Sequence, residues 1–320
     1  MKTLKVTVVG AGVIGLSTAI CLAEEGCEVR ILAAELPLQT TSAVASAMCG
    51  PVVDRGADPA VGWEQATIAA MIELAEREPG SGVHLETGLL AARGPGSGPP
   101  VAPTDLPSMR PATPDELPEG YQSGVWATLP LVDMQRYLGY LQTRLAAAGG
   151  VIEQRRVSSL SELVTSAGQV VNCSGVFARY LVPDEGVRAW WGQHLVVDNP
   201  GISGFFMEAP GSPIWAAYWV HGDRVVLGGI AKQDEWNREP SAEVAAAIRE
   251  RCEAIEPVLA NASVIEHQAG LRPGRARVRL EAEDLAGGRL VHNYGHGGSG
   301  VSLSWGCAQE AARAIFTGPD

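Results

Sequence analysis

Gly10, Gly12 and Gly15 stand in the run Gly10-Ala11-Gly12-Val13-Ile14-Gly15, between an apolar segment and a segment of helical pattern. Glycines at this spacing allow a tight turn, a close approach of backbone to a pyrophosphate, and close packing of helix on strand. The N–H groups that open such a helix carry partial positive charge toward phosphate. Twenty residues past Gly15, Glu35 ends a second strand-like run, where a carboxylate can bind ribose hydroxyls. Together these residues, with Ala11, Val13 and Ile14 inside the turn, make a dinucleotide-binding fingerprint. NAD and FAD share it, so it does not choose between them.

The C-terminal half does choose. Val171-Asn172-Cys173-Ser174-Gly175 and His292-Asn293-Tyr294-Gly295-His296-Gly297-Gly298-Ser299-Gly300 are further strand-to-glycine turns, and the second leads into a helix through Val301 and Ser302. A second glycine-dense helix start suits a long cofactor that meets a helix N-terminus at its other end too. For a flavin this is useful, because the reduced ring carries negative charge that a helix dipole stabilises. FAD is therefore the expected cofactor. Ser174, Gly175, Gly295, Gly297, Gly298, Ser299, Gly300, Val301 and Ser302 are its expected contacts at that end.

Other chemistry-bearing residues are less specific by themselves. Arg272, Arg275, Arg277 and Arg279 form a basic run that could bind an anion or face solvent. In an extended chain Arg275, Arg277 and Arg279 share one face, so spacing alone does not select among them. Tyr218 lies in an aromatic strand, and Ile214 and Trp215 could line a pocket or pack inside a sheet. His292 and His296 have no further ligands nearby in sequence, and no metal site is expected.

Elements must hold these residues in place. Strands are expected at Leu4 to Val9, Glu28 to Leu32, Val83 to Ala92, Val170 to Cys173 and Arg289 to Tyr294. Helices are expected at about Val13 to Glu25, Trp63 to Glu76, Leu131 to Ala148, Ser241 to Ile255 and Gly300 to Phe316. Asp133 and Ser241 stand where helix caps belong, and Gly149-Gly150 stops a helix. Residues Gly94 to Pro111 read as a Pro/Gly-rich loop. From Val187 to Gly229 the pattern becomes strand-like and aromatic, a largely antiparallel sheet. The fold class is thus α/β, a Rossmann-type βαβ FAD-binding domain with an interleaved, mainly antiparallel substrate-binding domain. The cofactor domain is expected from residues 1–50, 150–185 and 285–320, and the substrate domain mainly from 51–149 and 186–284.

Composition narrows the classes further. Of 320 residues, 46% are hydrophobic and 19% charged, as in a globular protein, and the net charge of −12 argues against a nucleic-acid surface. The six cysteines show no CxxC pair and read as reduced thiols of a cytoplasmic protein. The N-terminal MKTLK and its apolar sequel have the outline of a secretory leader, but the following strand at Glu28 to Leu32 fits a βαβ unit better. No apolar run approaches the length of a membrane span.

These motifs resemble the D-amino-acid oxidase family over most of the chain. HNYGHGGSG with VSLSWGCA, His292 to Ala308, is similar to its C-terminal signature. Gly270-Leu271-Arg272-Pro273 with Val278-Arg279-Leu280-Glu281 is similar to its substrate-arginine segment. VNCSGV and GAGVIGLS match as well, as does the ILAAELP run that carries Glu35. The resemblance implies that Arg279 clamps the substrate carboxylate, that the Tyr218 hydroxyl contacts the same group, and that the Gly298 carbonyl accepts from the amine. It places Thr40, Thr41 and Ser42 near the FAD phosphates. It implies hydride transfer from the Cα of a D-amino acid to flavin N5 without an enzyme base. The imine then hydrolyses to a 2-oxo acid and ammonia, and dioxygen reoxidises the flavin to give hydrogen peroxide. Mammalian members carry a second tyrosine where this chain has Ile214, which leaves the form of any lid open. The chain ends Gly318-Pro319-Asp320 instead of a peroxisomal tripeptide, in keeping with a cytoplasmic enzyme. A homodimer stays open. So do oxidation of glycine, sarcosine or D-aspartate, an NAD dehydrogenase, and a non-catalytic nucleotide binder. Retention of Arg279 and Tyr218 speaks against the last, and the C-terminal glycines against the dehydrogenase.

Overall fold

The computed structural model describes residues 3–51, 56–94, 106–209 and 212–317. The chain opens with β1 (Lys5–Val9), α1 (Val13–Glu24) and β2 (Glu28–Ala33), the unit expected from the glycine fingerprint. Then come β3 (Ala47–Met48), α2 (Pro59–Arg77), β4 (Val83–Ala92), β5 (Ser108–Pro111) and β6 (Ser123–Val132). The chain returns through α3 (Met134–Ala147), β7 (Val151–Gln154), α4 (Leu160–Ala167), β8 (Gln169–Asn172) and α5 (Ala178–Leu181). A long excursion follows: β9 (Arg188–Asp198), β10 (Phe205–Glu208), β11 (Ile214–His221), β12 (Arg224–Ile230), β13 (Lys232–Gln233) and α6 (Ala242–Ile255). The last elements are β14 (Val264–Gly274), β15 (Arg279–Leu285), β16 (Gly288–Tyr294) and α7 (Gly300–Phe316).

Six strands in the order β15-β16-β8-β1-β2-β7 form the first sheet, parallel except at the β15–β16 edge. In β1, Val6, Thr7, Val8 and Val9 are all buried, as a central parallel strand covered on both faces requires. One face packs on α1, α3 and α7, the other on α4 through Leu160, Leu163 and Val164. Residues 51–149 divide between the lobes. Ile68 and Met71 of α2, with Tyr137, Leu138 and Leu141 of α3, share a core with Val6 and Val8, so these two helices belong beside the first sheet. β15 also joins that sheet, although residues up to 284 were expected in the other lobe; its partner is the hairpin neighbour β16.

Ten strands make the second sheet, in the order β13-β9-β12-β11-β10-β4-β6-β3, with β14 on β9 and β5 on β6. Among the described residues its pairings are antiparallel save β10 with β4, in line with the expected substrate lobe. α6 covers one face over Trp191, Leu195, Val225 and Leu227. Its N-cap is Ser241, whose hydroxyl accepts from the Val244 amide at 3.4 Å, and Asp133 caps α3 the same way. Part of the Pro/Gly-rich loop lies outside the described residues, and Ser108–Pro111 within it adds β5 to the sheet edge. All six cysteines are free, and five are buried.

Candidate active site

A cavity of about 640 Å³ opens at the C-terminal ends of β1, β2 and β8 and reaches the end of β14. Open α/β sheets bind ligands at such strand ends. Its first wall is the N-terminal turn, where Gly10, Ala11, Gly12, Val13 and Ile14 all line the space. Gly10 has φ +108°, and a Cβ there would lie 2.4 Å from the Cys173 carbonyl oxygen, so only glycine fits. Gly15 does not line the cavity; a Cβ on it would meet the Gly10 carbonyl at 1.9 Å, so it serves helix–strand packing.

Thr40, Thr41 and Ser42 form the opposite lip. The Val13 amide donates to the Ser42 hydroxyl at 3.0 Å, and Thr41 donates to the Leu271 carbonyl at 3.2 Å. This short segment thereby ties the start of α1 to β14. Four residues on, Ser46 bonds His194 Nε2 at 3.1 Å while His194 Nδ1 meets the Val44 carbonyl at 3.1 Å. Burial, then the charge of Arg272, pushes His194 down to about 3, so it stays neutral. Glu35 lines the far end and is held by Arg238 at 2.5 Å.

Ser174, Gly175, Gly297, Gly298, Gly300 and Val301 line the other end. Gly295, Ser299 and Ser302 do not: Gly295 backs on Arg275, the Ser299 amide bonds the His296 carbonyl, and Ser302 donates to the Met48 carbonyl. Three residues of this wall carry buried polar atoms without a protein partner: Ser174 Oγ, Asn293 Oδ1 and His296 Nε2. Buried polar atoms take partners when they can, so a polar ligand suits this wall.

The expected substrate residues separate. Arg279 does not reach the cavity. Opposite Tyr294 on the β15–β16 edge, it donates to Glu281 and Glu283, each at 2.5 Å, and to the Tyr294 hydroxyl at 2.9 Å. Three of its five donors, one on each nitrogen, are thus engaged, two of them by carboxylates. Tyr218 is also outside the cavity. It sits opposite Leu227 on the α6 face of the second sheet and stacks on Phe206 at 6.1 Å. Burial, then Glu256, pushes its hydroxyl up to about 12. Ile214 is half exposed at the start of β11, across the ladder from Ile230.

Of the basic run, Arg272 is the arginine that lines the cavity; Arg155 and Arg156 also line it, where the Arg155 amide bonds the Ala33 carbonyl near Glu35. Arg272 donates from Nη1 to the Ile230 carbonyl at 3.0 Å, and no carboxylate pairs with it among the described residues. Burial alone lowers its pKa. A Cβ on Gly192 would lie 2.0 Å from its Nη1, so Gly192 leaves the room it occupies, and Gly298 flanks its stem. One sequence signal separates the two arginines. Glu281 and Glu283 follow Arg279 at two-residue steps and share its strand face, whereas Arg272 has no such neighbours.

The model of the FAD-dependent oxidoreductase family DAO matches residues 5–314. A D-amino-acid oxidase of Streptomyces coelicolor is 45% identical over 311 residues, 97% of this chain and 96% of that one. One of Rubrobacter xylanophilus is 46% identical, over 96% and 94%. The chain belongs to the D-amino-acid oxidase family. The fold agrees: glycine oxidase of Geobacillus kaustophilus superposes with TM-score 0.79 at 19% identity, covering 98% and 95% of the two chains. This family member is thus an FAD-dependent oxidoreductase, and its cavity fits the cofactor. The Gly12 cradle, where a Cβ would sit 3.1 Å from Ser42 Oγ, suits a pyrophosphate, and the unpartnered atoms of Ser174, Asn293 and His296 suit a polar ring. Among the described residues, no helix is long and apolar enough to cross a membrane.

Proposed function

We propose that this enzyme catalyses the oxidative deamination of D-amino acids to 2-oxo acids, with ammonia and hydrogen peroxide, and that Arg272 is its carboxylate clamp. The observation that carries the site reading is a partly buried guanidinium, without a carboxylate partner among the described residues, facing the cavity beside Gly298. When bound, FAD supplies the two-electron acceptor that dioxygen reoxidises.

The chain's own residues bind and orient. Arg272 spends one N–H on the Ile230 carbonyl and keeps four of its five donors for a planar carboxylate. His194 stays neutral, so it adds no second positive charge beside the clamp. The Gly298 carbonyl is the proposed acceptor for the substrate amine, since Gly298 stands against the Arg272 stem. Three constraints on a chiral carbon select one hand; the carboxylate and amine anchors supply two and confinement of the side chain by the cavity wall the third, and the resulting orientation of the C–H bond is most of the catalysis required. Tyr218 could take part only by leaving its stack on Phe206. Placement in the cytoplasm is supported by the six free thiols.

Anaerobic mixing of the holoenzyme with D-alanine and L-alanine tests the reaction. Flavin absorbance should bleach with D-alanine alone. Bleaching by L-alanine, or by neither, would overturn the assignment.

A further inference from the structure

The segment between β13 and α6 belongs to the second lobe but lies on the cofactor end of the first. In five residues it makes three contacts, from Asp234, Trp236 and Arg238. Asp234 pairs with Arg188 at the start of β9. Trp236 packs on Tyr180, ring centres 5.6 Å apart, and Tyr180 lines the cavity. Arg238 donates to Glu35 Oε1 at 2.5 Å and to the Gln39 carbonyl at 3.1 Å. Asp234, at φ +60°, turns the chain out of β13, and the contacts of Trp236 and Arg238, two residues apart, are those a chain lying along a surface makes. Asn237, between two of them, and Glu239, just after the last, are held by local bonds, the Asn237 amide to Glu235 and the Glu239 amide to Asn237.

We propose that residues 234–238 form a strap that the substrate lobe lays over the adenosine end of the cavity, with Arg238 as a positioning residue for FAD. Glu35 has two carboxylate oxygens, and Arg238 takes one. The other is left, in a fixed orientation, for ribose hydroxyls. The second Arg238 bond fixes Gln39, and the next three residues are the Thr40–Ser42 lip. One side chain thus sets both the ribose acid and the entry to the phosphate lip. Both side chains are about a third exposed, where an ion pair adds little to fold stability, so the effect belongs in cofactor affinity.

The strap rests on the reading that the adenosine half lies at Glu35, and the test separates the two. Holoenzymes of the parent, Arg238→Ala, Arg238→Lys and Glu35→Gln are diluted serially, and the return of flavin fluorescence gives the FAD dissociation constant. Displacement by ADP, which carries only the adenosine half, is followed in parallel. Arg238→Ala should raise the constants for FAD and for ADP about tenfold, the equivalent of one charge-assisted hydrogen bond. Arg238→Lys, a point charge that cannot span two acceptors, should fall between. The effect in Arg238→Ala/Glu35→Gln should be smaller than the sum of the single effects, because the arginine acts through the glutamate. Trp236→Ala, which leaves both charges in place, should weaken FAD as well. If Glu35→Gln weakens ADP while Arg238→Ala and Trp236→Ala do not, the strap is wrong and the adenosine reading stands. If Glu35→Gln changes neither constant, both are wrong.

Discussion

Replacing Arg272 by Ala should disable substrate capture while leaving the fold intact. The guanidinium has four free donors and one bond to the Ile230 carbonyl. Loss of a charged hydrogen-bonding partner for the substrate carboxylate removes about 3 kcal/mol. That is about a hundredfold in kcat/KM. Arg272→Lys keeps the charge but not the fork and should lose about tenfold. Thermal stability should hold or rise, because the guanidinium is desolvated without a counter-ion among the described residues. Arg279→Ala is the informative partner. Two carboxylates and a tyrosine lose their bonds, but both carboxylates are largely exposed, so the fold loses about 1 kcal/mol. Its kcat/KM should stay within about threefold of the parent, as expected for a residue away from the reacting groups. Steady-state oxygen uptake with D-alanine, together with thermal melts, measures all five quantities. A collapse of kcat/KM in Arg279→Ala with near-normal Arg272→Ala would refute the assignment and restore Arg279 as the clamp.

Three further outcomes follow from the geometry. Gly192→Ala places a Cβ 2.0 Å from Arg272 Nη1 and should displace the clamp, lowering kcat/KM by about a hundredfold without touching substrate; an unchanged KM would count against it. Gly10→Ala must tolerate φ +108° and a 2.4 Å approach to the Cys173 carbonyl, so it should lose more than about 2 kcal/mol and its flavin, whereas a parent-like melt would remove the turn argument. Burial pushes His194 and His296 down to about 3 and His221 down to about 4, from an ordinary 6.5. Between those values the unfolded chain binds protons that the folded chain excludes. The stabilisation is therefore complete above about pH 6.5 and declines as pH falls toward 4, by up to about 1.4 kcal/mol per unit for each histidine. Melts at pH 7.5 and 5 check this, and equal melting temperatures would contradict it.

Where the controlling interactions are local, the sequence was enough. The turn Gly10 to Gly15 and the helix after it follow from glycine conformational freedom and from contacts a few residues apart. The same is true of α7, and of α3 and α6 with their caps Asp133 and Ser241, whose hydrogen-bond partners lie three residues away. Because these turns sit at strand ends, most of the cavity wall was legible too, from Gly10 to Ile14 and at Gly297, Gly298, Gly300 and Val301.

The substrate end was not legible in the same way. Arg272 and Arg279 are seven residues apart in one basic run, and both match the family's segment. What distinguishes them is the sheet each strand joins. β14 pairs with β9 and brings Arg272 against Gly192 in the second sheet. β15 turns back on β16 in the first sheet and spends Arg279 on its own neighbours. Tyr218 was placed by the same kind of decision, since strand alternation fixes two faces but only α6, packed on one of them, says which is covered. Motif spacing determined the cofactor of this protein. Long-range strand pairing decided which charge meets the cavity, because a guanidinium's availability depends on the carboxylates that folding brings to it.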